Sequence, residues 1–97
     1  MNEQEQLKNF FAAYFHEDWR EEVKDAAGVL ELYLAQNVDA DARRRLAHAI
    51  ETFATRHGSD GALEQALFSE LGCYYVPSAE HRSARAWLAE LVTRLNF

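Results

Sequence analysis

The sequence predicts an all-α fold, a compact single-domain bundle of about five helices over residues 1–97. Three observations carry that expectation. Apolar residues recur three and four positions apart instead of alternating, the spacing that lines one face of a helix. One proline and four glycines leave long stretches of good helix formers between a few breaks. A chain of 97 residues fills one domain of ordinary size and leaves no room for a second core.

In the first helix, predicted over about residues 3–16, Leu7, Phe10, Phe11, Tyr14 and Phe15 fall at i, i+3, i+4, i+7 and i+8. Five large side chains on one stripe must be buried. A second helix is announced by Asp18 with Glu21 three residues on, the spacing at which an N-cap side chain and a carboxylate satisfy each other's backbone N–H groups. It is expected to reach Gln36, with Val23, Ala26, Ala27, Leu30 and Tyr33 or Leu34 inward. Gly28 inside it costs about 1 kcal/mol relative to alanine.

Asn37 and Asp39 make a break, and Asp39 or Asp41 caps a third helix that buries Leu46, Ala49, Ile50, Phe53 and Ala54 and ends at His57 and Gly58. Ser59 or Asp60 caps a fourth with Leu63, Ala66, Leu67 and Leu71 inward, closed by Gly72, which lacks the β-carbon that penalises a left-handed cap. The segment from Cys73 to Pro77 cannot stay helical, because the residue before a proline avoids helical angles. A last helix is expected from about Ser78 or Ala79, burying Ala84, Trp87, Leu88, Leu91, Val92 and Leu95.

Charge narrows the function. The net charge is -6, whereas proteins that hold a phosphate backbone present a basic face, so no direct nucleic-acid partner is expected. From Met1 through Asp41 there are ten carboxylates against three basic residues, and from Ala42 onward six against seven. The negative field therefore belongs to the N-terminal half. Cys73 is the only cysteine, which rules out an intramolecular disulfide and suits a reducing compartment. The start is polar and acidic, unlike a signal peptide, and no apolar run approaches the roughly 20 residues that span a bilayer. Cytoplasmic localisation with no membrane partner is expected.

Two stretches carry groups that could react. In Tyr14-Phe15-His16-Glu17-Asp18-Trp19 a histidine and two carboxylates are contiguous, but neighbouring helical residues diverge by about 100 degrees, so they do not converge as metal ligands do at i and i+4. His48, His57 and His81 are scattered. In Gly72-Cys73-Tyr74-Tyr75-Val76-Pro77 the thiol has no base beside it in sequence and reads as a small buried hydrophobe, with one tyrosine packed and the other partly exposed. No catalytic residue, metal or cofactor is expected. Arg43, Arg44 and Arg45 follow Asp39 and Asp41 at helical ion-pair spacing and read as a solvated face.

The order and spacing of Tyr14-Phe15-His16-Glu17-Asp18-Trp19, then Leu71-Gly72-Cys73-Tyr74-Tyr75 before Pro77, then Trp87-Leu88 with Leu91, resemble a family of contact-dependent growth inhibition immunity proteins. The resemblance runs across nearly the whole chain. It implies a small cytoplasmic antidote, encoded beside a large surface exoprotein, that binds the exoprotein's C-terminal toxin domain as a stoichiometric heterodimer. Such toxins are often nucleases and then basic, which an acidic binder would complement. A motif shared by antidotes to differing toxins belongs to the common fold, so Tyr14, Phe15, His16, Asp18, Trp19, Gly72, Cys73, Tyr74, Tyr75 and Trp87 are expected to be structural. The toxin-facing candidates are the exposed acids Glu21, Glu22, Asp25 and Glu31, steering a basic partner. Two other readings remain at this point: a helical adaptor with an unrelated protein partner, and a small enzyme built on His16 and Cys73.

Overall fold

The computed structural model describes residues 3–36 and 39–96. In chain order they form α1 (Glu3–Tyr14), α2 (Trp19–Glu22), α3 (Ala26–Gln36), α4 (Ala40–Thr55), α5 (Asp60–Leu71), a 3-10 turn (Pro77–Glu80) and α6 (Ala84–Leu95). No strand occurs among the described residues, and the all-helical expectation holds. Asn37, read as part of the break before α4, lies outside the described residues.

α6 lies chiefly along α4, α1 crosses α4 and α5, and α5 meets α6. The radius of gyration is 12.3 Å, close to the roughly 12.5 Å of a tightly folded chain of this length. The apolar stripes of all six helices meet in one buried cluster, with Leu7, Phe11, Ile50, Phe53, Leu67, Trp87 and Leu88 almost fully enclosed.

The long second helix does not form as expected. Val23 is extended (φ -138°, ψ 141°) and divides it into α2 and α3. Asp25 starts α3 afresh: its Oδ1 accepts the Gly28 N–H at 2.8 Å, the bond by which an aspartate caps a first turn. The restart shifts the buried face, so Val29 is enclosed and Ala27 is exposed. Gly28 has a positive use here, because a β-carbon on it would lie 2.6 Å from Val23 Cγ1.

The Asp18 capping box is also absent. Asp18 precedes α2 without a side-chain cap bond. Its backbone N–H, which Glu21 would have satisfied, is taken by His16 Nδ1 at 3.1 Å.

Further along, Asp39 caps α4 by accepting from Asp41 N, and Ser59 caps α5 by accepting from Ala62 N. Asp41 pairs with Arg44, three residues on, in place of the expected partner four residues on. Gly72 closes α5 in the left-handed region at φ 70°, and Cys73 to Val76 run without helix.

The last helix starts later than expected. Pro77–Glu80 make a separate 3-10 turn that stops at His81 with φ 60°, and α6 begins at Ala84 behind the Ser83 cap. Asp60 fixes that start. Its two oxygens accept from Ser83 Oγ at 2.7 Å, Ala84 N at 2.9 Å and Arg85 N at 2.9 Å.

Candidate functional site

The corner after α1 brings the two sequence segments and Trp87 together. Phe15 continues α1 by donating its N–H to the Phe11 carbonyl, and its own carbonyl accepts the Tyr74 N–H at 2.8 Å. The connector after α5 is thereby stitched to the corner. Phe15 meets the Trp87 ring edge to face, with centroids 5.2 Å apart. Trp19 stands 5.9 Å from Phe15 and 5.7 Å from Tyr75, and Tyr75 lies 4.6 Å from Trp87. Tyr14 extends the array along α3, crossing Tyr33 at 5.3 Å and donating its hydroxyl to Gln36 Oε1 at 2.7 Å.

The groups in this corner that could react are committed elsewhere. His16 accepts through Nδ1, so its ring proton sits on Nε2 and faces Glu22 Oε2 at 2.7 Å. Cys73 is enclosed, and burial pushes its thiol up to about 12, which keeps it protonated and non-nucleophilic at neutral pH. The Tyr75 hydroxyl donates to Glu80 Oε1 at 2.8 Å, and burial, aided by that bond, raises its pKa. Among the described residues no three His, Cys, Asp or Glu side chains gather in a metal-binding group. No helix among them is long and apolar enough to cross a membrane.

The surface offers carboxylates and apolar side chains, the materials of a binding face. Of the four acids singled out from sequence, Glu22 faces His16, Asp25 caps α3, and Glu31 reaches Arg94 at the end of α6. Glu21 projects from α2 and is exposed. Glu21, Glu22 and Asp25 thus share the edge formed by α2 and the start of α3, whereas Glu31 belongs to a separate contact with α6. A shallow cleft beside that edge is lined by Tyr14, His16, Trp19, Glu22, Val23 and Leu32. Arg20 of α2 lies over the Trp19 ring at 4.8 Å and reaches toward Glu80 at 3.6 Å.

Phe68, which the predicted buried stripe leaves out, stands on the outer face of α5. It is 51% exposed and meets the Tyr74 ring edge to face at 5.2 Å. The available signal was that Phe68 falls between inward Leu67 and Leu71 and belongs to neither turn of the buried stripe.

A family model described as the CdiI immunity protein matches residues 3–95. A chain in the crystal structure of a CdiA-CT/CdiI complex from Y. kristensenii 33638 superposes with a TM-score of 0.85 at 23% sequence identity, covering 97% of this chain and 94% of that one. At that identity the likeness establishes the fold. No curated protein matches the sequence.

Proposed function

The chain belongs to the CdiI immunity protein family, and from that premise we propose how it serves as the antidote of a contact-dependent growth inhibition system. It binds the cognate C-terminal toxin domain one to one in the cytoplasm and keeps it inactive, with no cofactor and no turnover. The family match over residues 3–95 is the observation that carries this reading.

The net charge of -6 supports a basic toxin partner, and a nuclease that grips a phosphate backbone is the chemistry that makes a toxin domain basic. Glu21, Glu22 and Asp25 on the edge at α2, with Glu31 apart on α3 beside Arg94, supply the steering charge. Of these Glu21 is exposed and has no side-chain partner among the described residues, so it meets an approaching cation without breaking a contact seen there.

The test pairs growth with titration. Cells expressing the toxin domain are expected to grow only when this protein is co-expressed, and calorimetry of the purified pair should give one-to-one binding with a nanomolar Kd, about -12 kcal/mol. Two folded proteins that neither rescue growth nor release heat would sink the reading.

A further inference from the structure

Four large hydrophobic side chains are substantially exposed among the described residues: Leu32, Phe68, Tyr74 and Val76. Three of them, Phe68, Tyr74 and Val76, sit on α5 and the connector that follows it. The connector is extended, so its side chains alternate, and Cys73 and Tyr75 turn inward while Tyr74 and Val76 turn out. Phe68 and Tyr74 cross edge to face at 5.2 Å, and Phe68 and Val76 line a shallow groove with Gly61, Glu64 and Tyr75. Folding requires none of these outward side chains to be large and apolar, and a clustered apolar patch on a small protein marks a contact surface.

The polar rim says what fits. Glu64 stands at the groove edge with each carboxylate oxygen held once, Oε1 by the Ser78 N–H at 2.8 Å and Oε2 by the Ser78 hydroxyl at 2.9 Å. Among the described residues each oxygen accepts this one bond, so a lone pair on either can still take a single N–H from a guanidinium or an ammonium. The exposed ring faces beside it suit the same cations. Across Tyr74, the bond from its N–H to the Phe15 carbonyl places the patch next to the corner that carries exposed Glu17 and Asp18. An apolar centre with an acidic rim repels a phosphate backbone, an anionic membrane and a second copy of itself.

We propose that Phe68 and Tyr74, with Val76 and the fixed Glu64 carboxylate, form the anchor of the toxin interface, receiving a basic segment of the toxin domain that carries an arginine or lysine. This rests on the immunity reading and adds to it: the α2–α3 acids guide approach, and the α5 patch holds the bound state. A few buried aromatics commonly carry most of the strength of such a contact.

The test compares the toxin domain's Kd for the wild-type chain, the F68A/Y74A double variant, Y74K and E64Q. Both substituted rings are solvent-facing, so circular dichroism should report an unchanged fold. The double variant is expected to bind about 100-fold more weakly through faster dissociation. Y74K, which sets a cation against a basic partner, should lose at least as much, and E64Q should lose about tenfold. Folded F68A/Y74A and Y74K variants that bind within about threefold of wild type would overturn the anchor while leaving immunity intact. A free wild-type chain that sedimentation shows to be a dimer, made monomeric by F68A/Y74A, would also overturn it by assigning the patch to a second copy. Failure of the wild-type chain itself to bind would instead remove the immunity reading, and the anchor with it.

Discussion

Asp60 holds the Arg85 backbone N–H, and Arg85 in turn reaches from the start of one helix to the end of another. The Asp60 carboxylate accepts the Arg85 N–H at 2.9 Å at the start of α6, while the Arg85 guanidinium donates to the Ala54 and His57 carbonyls at the end of α4, at 2.9 and 2.7 Å. Orphan N–H groups of one helix and orphan carbonyls of another are satisfied together. Asp60→Ala removes the acceptor shared by Ser83, Ala84 and Arg85 and is expected to cost about 1 kcal/mol. Thermal unfolding should show a Tm about 4–8 °C lower; an unchanged Tm would mean that Ser83 alone suffices as the cap.

The same aspartate sets an acid limit. Hydrogen bonds from the Arg85 N–H, then the Ser83 hydroxyl and the Ala84 N–H, hold its carboxyl below the ordinary value of 3.8. Between the unfolded pKa and the lower folded one the unfolded chain binds more protons, so stability is present above pH 3.8 and falls as pH drops through the folded value. Denaturant midpoints of wild type and Asp60→Ala measured at neutral pH and below the folded pKa should converge in acid. A gap that stays constant would contradict this linkage.

Gly28→Ala should destabilise, although alanine is the better helix former by about 1 kcal/mol. The added carbon meets Val23 Cγ1 at 2.6 Å, and Val23 is a stiff side chain on an extended segment. A loss of about 1 kcal/mol in chemical denaturation is expected, and Val23→Ala in the same chain should reverse most of it. A more stable Gly28→Ala protein would show that the segment yields freely.

Cys73 should resist thiol reagents in the folded protein. With the thiol enclosed and its pKa near about 12, labelling at pH 8 should proceed through opening of the structure and accelerate with denaturant. Labelling as fast as that of a free thiol in water would place Cys73 at the surface.

For the acidic edge, Glu21→Lys should slow association with the toxin domain about tenfold at low salt and much less at about 0.5 M salt, with dissociation unchanged. Stopped-flow mixing separates the two rates. A salt-independent loss would point to a direct packed contact at Glu21.

The helix stripes were readable because burial follows period: Leu63, Ala66, Leu67 and Leu71 need no tertiary knowledge, and Gly72 marks its own left-handed cap. The break at Val23 was not readable from breakers, since neither glycine nor proline lies there. The mark it left was Asp25 three residues before Gly28, whose N–H the aspartate accepts, while the Asp18 N–H that Glu21 was expected to satisfy goes to His16. The choice between Ser59 and Asp60 was open for a similar reason. It stands beside Ser59 as an equally good cap for α5, yet Ser59 caps that helix and the Asp60 carboxylate is taken by α6, a partner 25 residues away at Arg85. The exposed apolar patch was the least legible part, because a stripe tells which side of α5 is dry and nothing about why Phe68 stands on the wet side.

The hydrogen bond between Tyr74 N–H and the Phe15 carbonyl also bears on when the molecule becomes competent. Most of its architecture is local helix, which forms within microseconds, but this link waits for four intervening helices to close a long loop. The Trp87 ring that backs Phe15 and Tyr75 comes later still in the chain. During synthesis, a nascent chain lacking α6 therefore has Phe15 and Tyr75 without the indole that packs on both. The corner is complete only once the last helix has docked Trp87 against Phe15 and Tyr75.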